Sequence, residues 1–223
     1  MSANIKIGVL ASGGGTNLQS LIDNCEAGNI DGAIAVVISD VPQAGCLERA
    51  RDHGIDAVHV PVAKTGTPQW EQDNGRIIEV LQAHGVDLVA MAGYMRKITP
   101  RLVQTFPGAA INIHPALLPS FPGTHGQRDA NDYGVKLAGV TVHFADEEFD
   151  SGPIIIQGAV PVLSGDTEDS LRDRILKVEH KVYPQAVQWF AQGRLTISGR
   201  RVLLDGEPVA GSQELVWPPM EMV

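Results

Sequence analysis

Cysteine is nearly missing: Cys25 and Cys46 are the only two in 223 residues, and no Cys-x-x-Cys occurs. This excludes a disulfide framework and fits a reducing, cytoplasmic setting. Positive charge is short as well, with 17 Lys and Arg against 26 Asp and Glu and a formal charge of −9. Nucleic acid binding needs clustered Lys and Arg to neutralise phosphates, so a broad nucleic-acid surface is excluded and a small local phosphate pocket is not. No apolar run approaches the roughly 18 residues of a membrane span, so no membrane association is expected. The opening MSANIKIGVLASGGG reads as a strand and its loop rather than as a signal peptide. There is no internal repeat, low-complexity tract or interdomain linker. What remains, 43% hydrophobic and 19% charged, is ordinary globular composition, long enough to bury a sizeable core.

Short β-branched runs recur at Ile5–Ala11, Ala33–Ser39, Ala57–Val60, Asp87–Ala92 and Ala109–Asn112, and Pro115 must end the last. Helical stretches separate them at Asn17–Glu26, Pro42–His53 and Gln69–Ala83, with a short helix after Thr99-Pro100. Buried strands joined by helical crossovers predict an α/β fold, an open and mostly parallel sheet with helices on both faces. The second half differs. Pro115–Gly126 is loop-like, Gly139–Ala145 and Pro153–Val162 read as strands, and a long helix runs from about Thr167 to Gln192. Leu171, Ile175, Val178 and Val182 mark the buried face of that helix, and Pro184 is positioned to kink it. Residues 196–203 read as a terminal hairpin, and the tail from Ser212 has no period.

Ser12-Gly13-Gly14-Gly15-Thr16-Asn17 joins the first strand to the first helix. Glycines there let backbone N–H groups approach an anion at a helix N-terminus. Thr16 or Asn17 can cap the helix or donate to phosphate. No Gly-Lys-Ser/Thr follows, so it is not a Walker loop, and counting G-x-G-x-x-G from Gly13 puts Leu18 at the third glycine. Asp40, at the end of the second strand, would suit a ribose, which keeps a nicotinamide-binding reading open. A tight turn needing positive φ would explain one glycine, not three.

Asn112-Ile113-His114-Pro115 carries the most chemistry. Residues i and i+2 share one side of a strand, about 7 Å apart, so Asn112 and His114 face the crevice outside the carboxyl ends of the strands, where open α/β sheets bind ligands. An amide donor beside an imidazole suits a transition state with an oxyanion. A carboxylate beside His114 would raise its pKa and orient it. Asp150 lies in an acidic turn with Asp146, Glu147 and Glu148, which alone reads as a solvated loop. His143, out of register with Val142, suits core, surface or catalysis. His114, His125, His143 and Asp150 lack any metal-ligand spacing, so no metal is expected.

These motifs resemble the glycinamide ribonucleotide transformylases (phosphoribosylglycinamide formyltransferases), folate-dependent enzymes of purine synthesis. The resemblance runs from the first strand to about Leu195, on ASGGGTNLQS at 11–20, AGYMRKI at 92–98, INIHPALLPSFPG at 111–123, VTVHF at 140–144, FDSGPII at 149–155 and VEHKVYP at 178–184. It implies a Rossmann-like formyltransferase fold with an antiparallel C-terminal part. It implies formyl transfer from 10-formyltetrahydrofolate to the amine of 5'-phosphoribosylglycinamide, without a metal. By resemblance Asn112, His114 and Asp150 are the catalytic trio, with His143 supporting. Gly15, Thr16 and Asn17 cradle the nucleotide phosphate and Glu179 meets the ribose hydroxyls. Met95, Arg96, Lys97 and Ile98, with Ala145, Asp146 and Glu147, wall the folate cleft.

Trp70 stands where some relatives carry an Arg, with Lys64, Arg76 and Lys177 as substitutes for its charge. The expected partners are small-molecule substrates, with a monomer or homodimer as the assembly. A single formyltransferase domain is expected over 1–223: a nucleotide-binding half at 1–113, a folate-binding and catalytic half at 114–195, and a hairpin and tail at 196–223. Methionyl-tRNA formyltransferase and formyltetrahydrofolate deformylase share the core motifs. The short stretches before Ile5 and after Leu195 favour the purine enzyme over both.

Overall fold

The computed structural model describes residues 4–207. In chain order its elements are β1 (Ile5–Leu10), α1 (Thr16–Glu26), β2 (Gly32–Ser39), α2 (Gly45–Asp52), β3 (Asp56–His59), α3 (Pro68–Ala83), β4 (Leu88–Met91) and α4 (Pro100–Thr105). There follow β5 (Ala110–His114), α5 (Gly126–Tyr133), β6 (Leu137–Phe144), β7 (Ile154–Pro161), α6 (Glu168–Ala191), β8 (Leu195–Ser198) and β9 (Arg201–Leu204). Nine strands form one sheet in the order β3-β2-β1-β4-β5-β6-β7-β9-β8. β1 pairs in parallel with β2 and β4, and β4 with β5. The direction then reverses at β5–β6 and again at β6–β7. The chain leaves β1 to one side and returns through β4 to the other, which makes the crevice between their carboxyl ends a topological switch point.

The buried strands explain the continuous apolar runs, because both faces of the sheet are covered. Ile7 and Val9 pack with Leu18, Leu47, Ile175 and Tyr183 on one face. Leu10, Val36 and Ile38 pack with Trp70, Ile77, Leu81 and Leu102 on the other. Thr67 caps α3 by accepting the Trp70 N–H, with Pro68 in the first turn. Thr167 and Ser170 form a capping box on α6.

α6 is docked by particular contacts. The hydroxyl of Tyr183, wholly buried, donates to the carbonyl of Met91 at 2.9 Å, at the end of β4. Gly158 on β7 lets the helix come close, since a Cβ there would collide with Val178. The helix runs through Pro184. A proline has no N–H for the carbonyl four residues back, and the hydroxyl of Ser20 donates to that carbonyl, on His180, at 3.0 Å.

Three expectations need correction. Residues 126–133 form α5, beyond the stretch read as loop; the helix is short and buries only Gly126 and Ala130, too few positions to show a period. The cap of α1 is Gly15, in the left-handed region at φ 75°, with no side-chain cap; Thr16 is the first helical residue. The helix expected from Pro42 begins at Gly45. The tail from Ser212 lies outside the described residues.

Candidate active site

Asn112 and His114 sit at the end of β5, and the antiparallel register sets Asn112 opposite His143 on β6. Asp150, in the turn between β6 and β7, closes the group. Its Oδ2 lies 3.4 Å from His114 Nδ1, and its Oδ1 lies 3.7 Å from His143 Nε2. The Asn112 amide donates to Asp150 Oδ1 at 3.4 Å and to His143 Nε2 at 3.3 Å. Both bonds are long, so a ligand oxygen can replace them at little cost. His143 Nδ1 is 2.8 Å from the Phe144 carbonyl and donates to it, since a carbonyl only accepts. That leaves Nε2 as the acceptor for Asn112. The side chains of His114, His143 and Asp150 are all but excluded from solvent.

Burial pushes the His114 imidazole below its ordinary value, and it outweighs the upward push of the Asp150 charge and the Phe121 carbonyl. The carboxylate does push the ring upward, as expected, and burial reverses the net direction. Asp150 goes the other way in balance. Burial works to raise its carboxyl, but the Gly123 N–H, which donates to Oδ2, and the His114 ring hold it below the usual carboxylate range. The pair therefore rests as a carboxylate beside a readily deprotonated ring.

Two clefts open onto this cluster. One is walled by Met91, Arg96, Lys97, Ile98 and the turn from Ala145 to Glu148. The other is walled by Asn17, Gly93, Met95, His114, Gly123, Thr124 and Glu179. Both are lined by Asn112 and Asp150, with Tyr94 and Phe149. Met95 thus lines the second cleft, apart from Arg96, Lys97 and Ile98; the expectation grouped all four. Among the described residues the Tyr94 hydroxyl is buried without a hydrogen-bond partner.

Asn17, at the end of the glycine loop, lines the second cleft. Gly15 needs its positive φ, and a Cβ there would meet Cys46 at 2.8 Å. A Cβ at Gly13 or Gly14 would meet nothing within 4 Å, so their glycines answer no internal packing need. The N–H groups of the first turn of α1 have no side-chain cap, the arrangement that receives anions. Thr16 faces an adjoining depression with Gln19, Ser20, Asp23, Arg49 and His180. Asn17 is turned away from the loop and donates to Glu179 Oε2 at 2.6 Å. Glu179 is 6% exposed, and burial raises its carboxyl although the Asn17 amide works against this.

Asp40 is not free for a ribose. Its buried carboxylate accepts from Arg96 Nε at 2.6 Å and from Ser12 Oγ at 2.6 Å. Ser12 in turn accepts the Met95 N–H at 2.8 Å. Asp40 therefore ties the glycine loop to the 95–98 segment. Trp70 is buried under that segment, its indole donating to the Lys97 carbonyl at 3.1 Å. Lys64, Arg76 and Lys177 are exposed and line neither cleft. Arg49, which the sequence reading missed, holds the Gly14 carbonyl through Nε at 2.7 Å. Phe121 and Gly123 were missed too, because they act through the backbone, which leaves no residue-type signature. Among the described residues no group of three or more His, Cys, Asp or Glu is placed to hold a metal ion, and no helix is long and apolar enough to cross a membrane.

A family described as formyl transferase matches residues 5–187. The chain is 40% identical over 203 residues to the phosphoribosylglycinamide formyltransferase of Escherichia coli (strain K12), covering 91% of this chain and 95% of that protein. The structure superposes on glycinamide ribonucleotide transformylase 1 from Symbiobacterium toebii with a TM-score of 0.87 and 52% identity, over 92% of this chain and 95% of that one. It also matches a formyltetrahydrofolate deformylase from Pseudomonas syringae pv. tomato str. DC3000, with a TM-score of 0.83 and 28% identity, over 90% of this chain and 66% of that one.

Proposed function

The chain belongs to the formyl transferase family, and we propose that it transfers the formyl group of 10-formyltetrahydrofolate to the amine of 5'-phosphoribosylglycinamide. The products are formylglycinamide ribonucleotide and tetrahydrofolate, in de novo purine biosynthesis. The observation that carries this reading is the meeting of two clefts at Asn112 and Asp150. A two-substrate transfer needs such a junction, where an amine from one side reaches a carbonyl from the other. The high identity to phosphoribosylglycinamide formyltransferases, over nearly the full length of both chains, supports this substrate pair.

The first cleft takes the folate. Met91, Ile98 and Ala145 supply apolar walls, and Arg96, Lys97, Asp146 and Glu147 the polar rim. The second cleft takes the nucleotide. The N–H groups of Gly15 and Thr16 and of Asn17 receive the phosphate, Arg49 adds positive charge beside the loop, and Glu179 receives the ribose hydroxyls.

The folate supplies an electrophilic formyl carbon, and amine attack there gives a tetrahedral intermediate with an oxyanion. Asn112 exchanges its long bonds for a short one to that oxygen. As the oxyanion grows, His114 takes up the proton that the attacking amine sheds, passed through water and Asp150, because the new charge offsets the burial that keeps the ring neutral beforehand, and it gives that proton back by the same route as the oxyanion collapses. The stabilisation is thus stronger in the transition state than in the ground state, which is what lowers a barrier. Asp150 accepts the amine proton, through water, and returns it to the departing folate nitrogen. His143 keeps the Asn112 amide aimed. The substrates are small molecules; the assembly is a monomer or homodimer in the cytoplasm, and 1–113 and 114–195 serve as nucleotide and folate halves.

A spectrophotometric assay with 10-formyltetrahydrofolate, with and without the nucleotide, tests this reading. Deformylation that requires the nucleotide and is lost in His114→Ala is the expected result. Deformylation without the nucleotide would assign the hydrolase activity instead.

A further inference from the structure

We propose that the Phe121–Gly123 turn, braced by Tyr133, is a clasp that fixes the His114 tautomer, which makes Phe121 and Tyr133 positioning residues for proton movement at the site; the inference rests on the role given to His114 above. The Phe121 carbonyl lies 2.8 Å from His114 Nε2. A carbonyl can only accept, so Nε2 carries a hydrogen in both charge states of the ring. The proton that comes and goes is therefore on Nδ1, the nitrogen 3.4 Å from Asp150 Oδ2. That separation is long for a charge-assisted bond, so the Nδ1 hydrogen can be shared with an oxygen in the cleft.

The same turn holds the other partner. The Gly123 N–H donates to Asp150 Oδ2 at 2.9 Å. An acceptor and a donor two residues apart thus fix the imidazole and the carboxylate together, both through backbone groups of the turn.

Phe121 adopts φ 54°, in the left-handed region. A bulky residue stays there only where its surroundings over-determine it. α5 supplies that constraint from both of its ends. At its start, a Cβ on Gly126 would lie 3.3 Å from the Phe121 carbonyl oxygen and 3.1 Å from Ala116 Cβ. At its end, Tyr133 packs edge-on against the Phe121 ring, with centroids 5.8 Å apart at 65°. Tyr133 is 79% exposed, so core packing does not account for its aromatic ring, whereas the brace does.

The test is nitrogen NMR on the full chain labelled in histidine, through the range where histidine titrates, combined with steady-state kinetics. In the parent protein the neutral His114 ring should carry its hydrogen on Nε2. In Tyr133→Ala and in Phe121→Gly, which accepts the same φ without constraint, the two tautomers should mix. Turnover should fall on the order of tenfold, the scale of a small misplacement of a reacting group, with both KM values little changed. Tyr133→Phe keeps the ring edge and should restore the parent tautomer and pH profile. A neutral His114 with its hydrogen on Nδ1, or a Tyr133→Ala protein with unaltered tautomer and pH profile, would overturn the clasp. A tautomer released by Tyr133→Ala in a protein that transfers no formyl group would support the clasp and overturn the functional reading alone.

Discussion

Asn17, in the first turn of α1, donates its amide to the carboxylate of Glu179 on α6 at 2.6 Å, across 162 positions of sequence. Burial pushes the Glu179 carboxyl above the ordinary 4.5, with Asn17 opposing. A raised folded value means that the folded state holds a proton the unfolded state releases. The stability contributed is complete below 4.5 and is lost as pH rises through the folded value. Glu179→Gln keeps an acceptor for Asn17 and removes the ionisation. Its Tm should exceed that of the parent by a margin that widens from acid to alkaline pH, while the nucleotide KM rises. A margin that does not change with pH would mean that Glu179 does not titrate with folding.

The Asp150–His114 pair sets a second pH dependence. The His114 value is lowered by burial, so stability falls as pH drops below the ordinary 6.5 toward the folded value. Asp150, held low, contributes stability above the ordinary 3.8 that is lost as pH falls toward its own folded value. Asp150→Asn removes the upward push on His114, so the acid limb of the kcat profile should move further down. Turnover should fall by roughly 100-fold, the scale of a general acid–base group, with KM values nearly constant. Unchanged turnover would remove Asp150 from the mechanism.

Asp40→Ala releases Arg96 and Ser12 together. Denaturant unfolding should show a loss of about 1–3 kcal/mol, the usual cost of charge-assisted hydrogen bonds. The folate KM should rise as the 95–98 segment loosens. If Asp40 served a dinucleotide ribose instead, NADH would bind the parent saturably and the variant weakly.

Gly158→Ala places a methyl group against Val178. Overpacking should cost about 1–3 kcal/mol, and the displaced α6 should carry Glu179 away from the second cleft. Urea titration and the nucleotide KM read the two effects separately.

Much of this molecule was legible in the sequence. The run Ile5–Leu10 is continuous because both faces of β1 are covered, and Asn112 with His114 share a side by strand alternation alone. α5 was not legible, because GQRDANDY buries only Gly126 and Ala130 and follows a proline-rich loop. Asp150 looked like one acid among four. Its function depends on a turn at φ 53° that delivers it to His114, and no local pattern encodes that. His143 became meaningful only through its register with Asn112, a pairing between residues 31 positions apart. Met95 was grouped with its neighbours because proximity in sequence says nothing about which side of a wall a side chain takes.

The glycine loop separates two kinds of tolerance to change. Gly15 is fixed by its own backbone and by Cys46, so its replacement will register as a folding defect. Gly13 and Gly14 have open space where a methyl group would go. Alanine at either position should leave melting behaviour intact and obstruct the anion that approaches the loop. Variant screens that score abundance or thermal resistance would classify both substitutions as harmless, and only selection for growth without supplied purines would expose them.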